Sequence, residues 1–197
     1  MSVAAALLAA GRGSRLGDDA TAKPLLELAG KPLVSWALAA ALAAETEPVL
    51  LVVGHAGDAV ARAAPPTVRV VVAPDWKLGI AHSLHAALRA LEPTPTVTAV
   101  CIGLADQPRV GPDAYRRLAV AHQEGATLAV ATYTGQRANP VLLDRSLWPQ
   151  ALTLRGDTGA RTLMRTYPVT EVDCTGTGDP TDVDTLDDLR ALEGRTE

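Results

Sequence analysis

The sequence has no phenylalanine, only three Trp and three Tyr, two cysteines and three lysines among 197 residues. Cys101 and Cys174 are too few for a disulfide framework, and Cys101 lies in an apolar run that reads as core. This usage fits a reduced, cytoplasmic compartment. Excess positive charge is also lacking. The formal net charge is −4, which argues against bulk electrostatic binding to nucleic acid or an anionic membrane but leaves room for a local basic pocket. No apolar run reaches transmembrane length. The apolar stretch 1–10 has no basic residue before it, because Arg12 and Arg15 follow, so it does not read as a signal peptide. Fifteen arginines against three lysines is a compositional bias without functional content. It does make each lysine informative, and Lys23 and Lys31 fall in one N-terminal segment.

What is present is a chain long enough to bury roughly 70% of its surface without a staple. Its length is that of one domain, 1–197. Apolar runs at 3–8, 49–53, 68–72, 97–104, 128–132, 141–143 and 169–173 read as strands. Amphipathic stretches at 32–44, 80–91, 112–122, 158–166 and 186–192 read as helices. Strands alternating with helices predict an α/β fold: a Rossmann-like, doubly wound, mostly parallel sheet with helices on both faces. The crowding of strands toward the C-terminal half predicts a mixed sheet with at least one antiparallel strand. In such sheets ligands bind at the carboxyl ends of strands. The loops at 11–23 and 105–108 should lie there.

The first of these loops carries Leu8-Ala9-Ala10-Gly11-Arg12-Gly13-Ser14-Arg15-Leu16-Gly17, with Lys23 downstream. Glycines let backbone N–H groups approach phosphate oxygens, and Arg15 and Lys23 can neutralise phosphate charge. No Gly-Lys-Ser/Thr is present, and the glycine spacing misses the dinucleotide fingerprint by one residue. Alone, the run is equally a glycine-rich connection with solvated bases. In Asp75-Trp76-Lys77-Leu78-Gly79-Ile80-Ala81-His82-Ser83, Gly79 allows a turn and Ser83 can reach a base or ribose, or simply open a helix. Asp106, in Gly103-Leu104-Ala105-Asp106-Gln107-Pro108, places a carboxylate at a strand end, where a hard cation bridging phosphates would sit. The plain alternative is a turn aspartate ahead of a proline. His82 and His85 lie three apart on a predicted helix with no second ligand pair, so a zinc site is not indicated.

These segments, with Asn139-Pro140-Val141, Arg155-Gly156-Asp157-Thr158-Gly159-Ala160-Arg161 and Asp182-Val183-Asp184, resemble the MobA-like nucleotidyltransferases over nearly the whole chain. The pattern is most similar to the molybdenum-cofactor cytidylyltransferase branch. The resemblance implies a nucleotide site at Leu8, Ala9, Ala10, Gly11, Arg12, Gly13, Ser14, Arg15, Lys23, Gly79, Ser83 and Asp106. It implies catalytic roles for Arg15, Lys23 and Asp106, and Mg²⁺ held by Asp106 and Asp184, with Asp182 the alternate second ligand. An acceptor site is implied at Asn139, Pro140, Arg155, Gly159 and Arg161. Asn139 stands where a histidine is expected. The implied partners are CTP, or another NTP, and a phosphorylated acceptor, molybdenum-molybdopterin, with transient contact to a molybdoenzyme or its chaperone. Leu-Ala-Ala-Gly rather than Leu-Ala-Gly-Gly favours CTP over GTP. Five residues, 18–22, separate Gly17 from Lys23, a spacing common in sugar-phosphate nucleotidyltransferases, so a sugar-phosphate acceptor stays open. A non-catalytic cofactor chaperone is a further alternative. The phosphate nucleophile implied here is already anionic and needs no general base; catalysis would be positioning and charge neutralisation.

Overall fold

The computed structural model describes residues 2–12 and 22–193. Nine strands are present among them: β1 Ser2–Ala9, β2 Glu27–Leu28, β3 Lys31–Pro32, β4 Val49–Val53, β5 Arg69–Val72, β6 Val97–Leu104, β7 Leu128–Tyr133, β8 Gln136–Asp144 and β9 Thr170–Asp173. The α-helices are α1 Leu33–Ala43, α2 Gly57–Arg62, α3 Ile80–Leu91, α4 Pro112–Gln123, α5 Trp148–Ala151 and α6 Leu186–Glu193. β2 and β3 form a small hairpin, and the other seven strands form one sheet in the order β5-β4-β1-β6-β8-β7-β9. Only β8 runs antiparallel to its neighbours β6 and β7. The mixed, mostly parallel sheet is therefore as expected.

The period-two geometry of a strand explains why β1 is apolar throughout. Ala5, Leu7 and Ala9 enter the hydrophobic cluster on the α1 and α4 face, with Leu38, Tyr115 and Leu118. Ala4, Ala6 and Leu8 enter the cluster on the opposite face, with Leu84, Leu88, Leu91 and Trp148. A central parallel strand buried on both faces must read as a continuous apolar run. β4 divides in the same way: Val49, Leu51 and Val53 on one face, Leu50 and Val52 on the other. The scarcity of aromatics is met by alanine. Small side chains along β1 and α1 let helix and sheet approach closely, and leucine fills the remaining volume.

Two expectations are corrected. The 158–166 stretch is not an α-helix but a 3-10 helix, Ala160–Arg165, capped by Gly159. The 141–143 strand extends over Gln136–Asp144, with polar Gln136 and Arg137 exposed at its start. Val130 pairs with Val141 while Ala131 pairs with Ala138, so Asn139 and Pro140 bulge out of the β7–β8 ladder. A strand proline is tolerated at such a bulge, where no ladder N–H is needed. Short α2 carries one buried residue, Val60, which is too weak a pattern to read from sequence. No described helix is long and apolar enough to cross a membrane.

Cys101 and Cys174 are free thiols, both fully buried in the α1 and α4 face cluster. Burial raises both above the ordinary thiol value, Cys174 to about 11. A buried thiol kept protonated is a poor nucleophile. The native protein should therefore release no thionitrobenzoate from Ellman's reagent at pH 8 within minutes, and two equivalents per chain after denaturation. Rapid reaction of the native protein would contradict the burial of this cluster.

Candidate active site

Three polar side chains from distant parts of the chain meet at the carboxyl ends of β1 and β6. Lys23 opens a 3-10 turn, Lys23–Leu25, whose second residue is Pro24. Asp106 lies two residues beyond β6, where the Ala105 N–H donates to the Leu8 carbonyl at the end of β1 (3.1 Å). Asp184 lies on the segment leading into α6. Lys23 Nζ donates to Asp106 Oδ2 at 2.6 Å and to Asp184 Oδ1 at 2.7 Å. The Lys23 side chain is only 11% exposed. Burial alone would lower the Lys23 pKa, but the two carboxylates outweigh it and hold the ammonium above its ordinary value.

The two carboxylate-bearing segments are zipped together. Val183 N–H donates to the Asp106 carbonyl (2.9 Å), and Asp179 N–H to the Arg109 carbonyl (2.9 Å). The Gln107 amide donates to the Pro180 carbonyl at 2.7 Å. Val110 and Gly178 form an antiparallel bridge. Gly178 has φ +146°, and a Cβ there would lie 2.2 Å from the Arg109 carbonyl oxygen, so only glycine fits this approach. α6 starts with a reciprocal cap: Asp188 N–H donates to Thr185 Oγ1, and the Asp188 carboxylate accepts from the Thr185 N–H and hydroxyl. The apolar side of the return is Val183 and Leu192 against Leu28 and Leu33, with Trp36 alongside. Arg109 adds a hydrogen bond to the Leu192 carbonyl.

Beside this centre lies a cavity of about 340 Å³, lined by Leu8, Leu104, Asn139, Asp157, Gly159 and Arg161 among others. Its position at the strand ends is where α/β sheets bind ligands. Burial lowers the Arg161 pKa, and Asp182 opposes that with its charge. Asp182 is raised, first by burial and then by the charge of Asp106. Arg161 and Asp182 thus link the cavity to the carboxylate pair electrostatically.

The expected site residues divide as follows. Lys23, Asp106 and Asp184 come together. Asn139, Gly159 and Arg161 line the adjoining cavity, and Pro140 shares the bulge with Asn139. Arg155 instead lines a different cavity, with His82 and Arg89. Gly79 has φ +111°, and a Cβ there would lie 2.2 Å from the Gly156 carbonyl carbon. Ala81 N–H donates to that Gly156 carbonyl (3.1 Å), so the turn opening α3 is seated on the 155–159 loop. Ser83 is buried in α3. Ala9 and Ala10 are buried, and the Ala10 carbonyl accepts from His55 N–H. Ala10 therefore sets the backbone of the loop rather than presenting a side chain. Gly11 and Arg12 are exposed. Gly13, Ser14 and Arg15 lie outside the described residues. Sequence reading gave Gln107 no role, yet it is buried and ties the two carboxylate segments. Its place directly after Asp106 was the available signal.

Among the described residues, no group of three or more His, Cys, Asp or Glu is arranged to hold a metal by itself. The donors present nevertheless suit a hard cation that takes further oxygens from phosphates. Two carboxylates converge on one cationic point, and Asp106 Oδ1 is buried without a hydrogen-bond partner. Mg²⁺ is commonly bound by one or two carboxylates plus substrate phosphates.

Residues 5–172 match the model of the MobA-like NTP transferase domain. The chain belongs to that family. Within this nucleotidyltransferase family, the chain is 34% identical to a protein named nicotine blue oxidoreductase from Paenarthrobacter nicotinovorans, over 96% of each chain. It is similar in structure to Rv0371c of Mycobacterium tuberculosis H37Rv (TM-score 0.86, 32% identity, 98% of each chain). The same protein has been solved as a complex with manganese (TM-score 0.82, 29% identity, 98% of this chain and 99% of that one). Molybdopterin-guanine dinucleotide biosynthesis protein A of Archaeoglobus fulgidus shares the fold (TM-score 0.73, 17% identity, 98% of each chain).

The raised Asp182 carboxyl gives a stability prediction for this MobA-like chain. Its ionised form is disfavoured in the folded state, so the penalty is full above the folded pKa and fades as pH falls toward the unfolded value. Asp182→Asn should raise the urea midpoint at pH 7, and the gain should shrink as pH falls toward the range in which an ordinary carboxylate titrates. A midpoint lowered at pH 7 would contradict this electrostatic picture.

Proposed function

We propose that the chain transfers a nucleotidyl group from an NTP to a phosphorylated acceptor with release of pyrophosphate, and that CTP and molybdenum-molybdopterin are the pair. The observation that carries this is the meeting of Lys23, Asp106 and Asp184 at the strand ends, next to a cavity containing Asn139, Gly159 and Arg161. Lys23 is a fixed positive charge that neutralises the leaving pyrophosphate, with Arg15 and the amides of 11–14 as further phosphate contacts. Asp106 and Asp184, with Asp182 the alternate, would hold Mg²⁺, which when bound would supply positive charge to offset that of the phosphates. Gly79 and Ser83 position the nucleoside end. Arg161, with Asn139 and Gly159, receives the anionic acceptor; Arg155 steadies the same loop from its far side. The nucleophile is a phosphate oxygen that is already anionic, so the protein's work is orientation and charge stabilisation rather than proton abstraction. The preference for CTP rests on Ala10, acting through the loop backbone. Cytoplasmic location fits the two buried reduced thiols.

A sugar phosphate as acceptor keeps the same chemistry and follows from the long spacing before Lys23. A second reading is redox. It is favoured by the relative named an oxidoreductase that matches along the full length, and it needs a carrier of electrons in place of an NTP. The test is a thermal-shift series with CTP, GTP, ATP, UTP, NADH and NADPH, each with and without Mg²⁺. Ligand at one hundred times Kd stabilises by about 2.7 kcal/mol. A shift with CTP that requires Mg²⁺ is the expected result. A shift with NADH or NADPH and none with any NTP would overturn it. Lys23→Ala and Asp106→Ala should each lower turnover at least about 100-fold; near-normal rates in either would remove that residue from the mechanism.

A further inference from the structure

A second cavity, of about 540 Å³, lies between α3, β5 and the turn that follows α5. It shares no lining residue with the cavity beside Asp106. One stripe of α3, at helical spacing, supplies His82, His85, Ala86, Arg89 and Ala90. Arg155 faces them from the turn, and Asp75 is the single carboxylate in the lining. The remainder is apolar: Val71, Val72, Pro74 and Leu152.

Two of the basic groups, Arg155 and His85, are held by backbone carbonyls. Arg155 donates to the Leu152 and Leu154 carbonyls at 3.1 and 2.8 Å, which anchors its guanidinium without cancelling its charge. His85 Nε2 lies 3.2 Å from the Ala151 carbonyl oxygen, and the rings of His82 and His85 are 5.4 Å apart. Burial, with the charges of His82, Arg89 and Arg155 acting in the same direction, holds the His85 imidazole below its ordinary value; the Ala151 carbonyl acts against them. The formal charges in the lining are Arg89 and Arg155 against Asp75, a net positive charge that suits an anion. The chain as a whole is acidic, with a net charge of −4, so this concentration of basic groups is local. The volume falls in the range of small-molecule sites, which are lined mostly by apolar groups with a few convergent polar ones.

We propose that this cavity binds a small organic anion, a phosphate monoester or carboxylate with an apolar body, held by His82, Arg89 and Arg155. The apolar body lies on Val71, Ala86, Ala90 and Leu152. The site is separate from the nucleotide centre and does not depend on the reaction proposed above. A bound anion on Arg155 also restrains the 155–157 turn, in which Gly156 touches Gly79 and Asp157 lines the other cavity. Two ligands placed on either side of one turn are positioned to influence each other.

The test is imidazole-detected NMR on protein with ¹⁵N-labelled histidine, titrated with phenyl phosphate, benzoate and inorganic phosphate. The ring signals of His82 and His85 should shift with an organic anion while those of His55 and His122 stay in place. Phenyl phosphate or benzoate should bind more tightly than inorganic phosphate, and whichever is tighter identifies the acid. Arg89→Gln should weaken binding about tenfold, as expected for one charge-assisted contact. Arg89 is exposed, so this variant should melt like the parent. Arg155→Gln should weaken binding similarly. Lys23→Met, at a residue outside this lining, should leave it unchanged. Shifts lost in Lys23→Met but kept in Arg89→Gln, equal binding of inorganic phosphate, or no shift at millimolar ligand would each overturn the proposal.

Discussion

The Lys23 ammonium, held between Asp106 and Asp184, is the interaction on which the arrangement of this molecule turns. Two carboxylates aimed at one point repel each other and lose solvation as they are covered. A shared cation at 2.6 and 2.7 Å is what makes that convergence stable. The partners are 83 and 161 residues from Lys23 in sequence, so the contact fixes the relative position of three segments that no local preference would assemble.

The rest of the architecture can be read as support for this contact. β1 and β6 lie side by side and bring the loops after them to the same edge. The C-terminal segment then returns across the sheet end, held by Val183 and Asp179 N–H groups on the 106–109 carbonyls, by Gln107, and by the Leu28–Leu33–Val183–Leu192 cluster. Each of these is modest alone. Together they carry Asp184 to the one place where it can share the lysine. The seating of Gly79 on Gly156 performs the same service for the other side of the cleft, joining the turn before α3 to the loop that bears Gly159 and Arg161.

Much of this was legible before any coordinates. Continuous apolar runs such as 3–8 and 97–104, alternating with amphipathic stretches, read as strands buried on both faces of a mostly parallel sheet, and they are. Lys23, Asp106 and Asp184 were named from motif and resemblance, and the fold brings all three together. What was hidden depends on tertiary contact. The true length of β8 was masked by Gln136, Arg137 and Pro140, whose polarity and missing N–H suit a bulged strand only once its neighbours are known. The 160–165 segment has a helical pattern but forms a 3-10 helix, a distinction that the pattern alone does not make. Arg155 sits in the same motif as Arg161, yet the turn at Gly156 sends the two to different cavities, an outcome that spacing alone does not reveal. Gln107 has no recognisable pattern because its role is to bind a backbone carbonyl 73 residues away.

The central claim is that the Lys23–Asp106–Asp184 cluster is the metal and nucleotide site. It is tested most directly by crystals grown with CTP and Mn²⁺ and measured at the manganese absorption edge. The account predicts an anomalous peak at the carboxylates of Asp106 and Asp184, with nucleotide phosphate density against it. A nucleotide bound elsewhere, or manganese with no contact to either carboxylate, would contradict it.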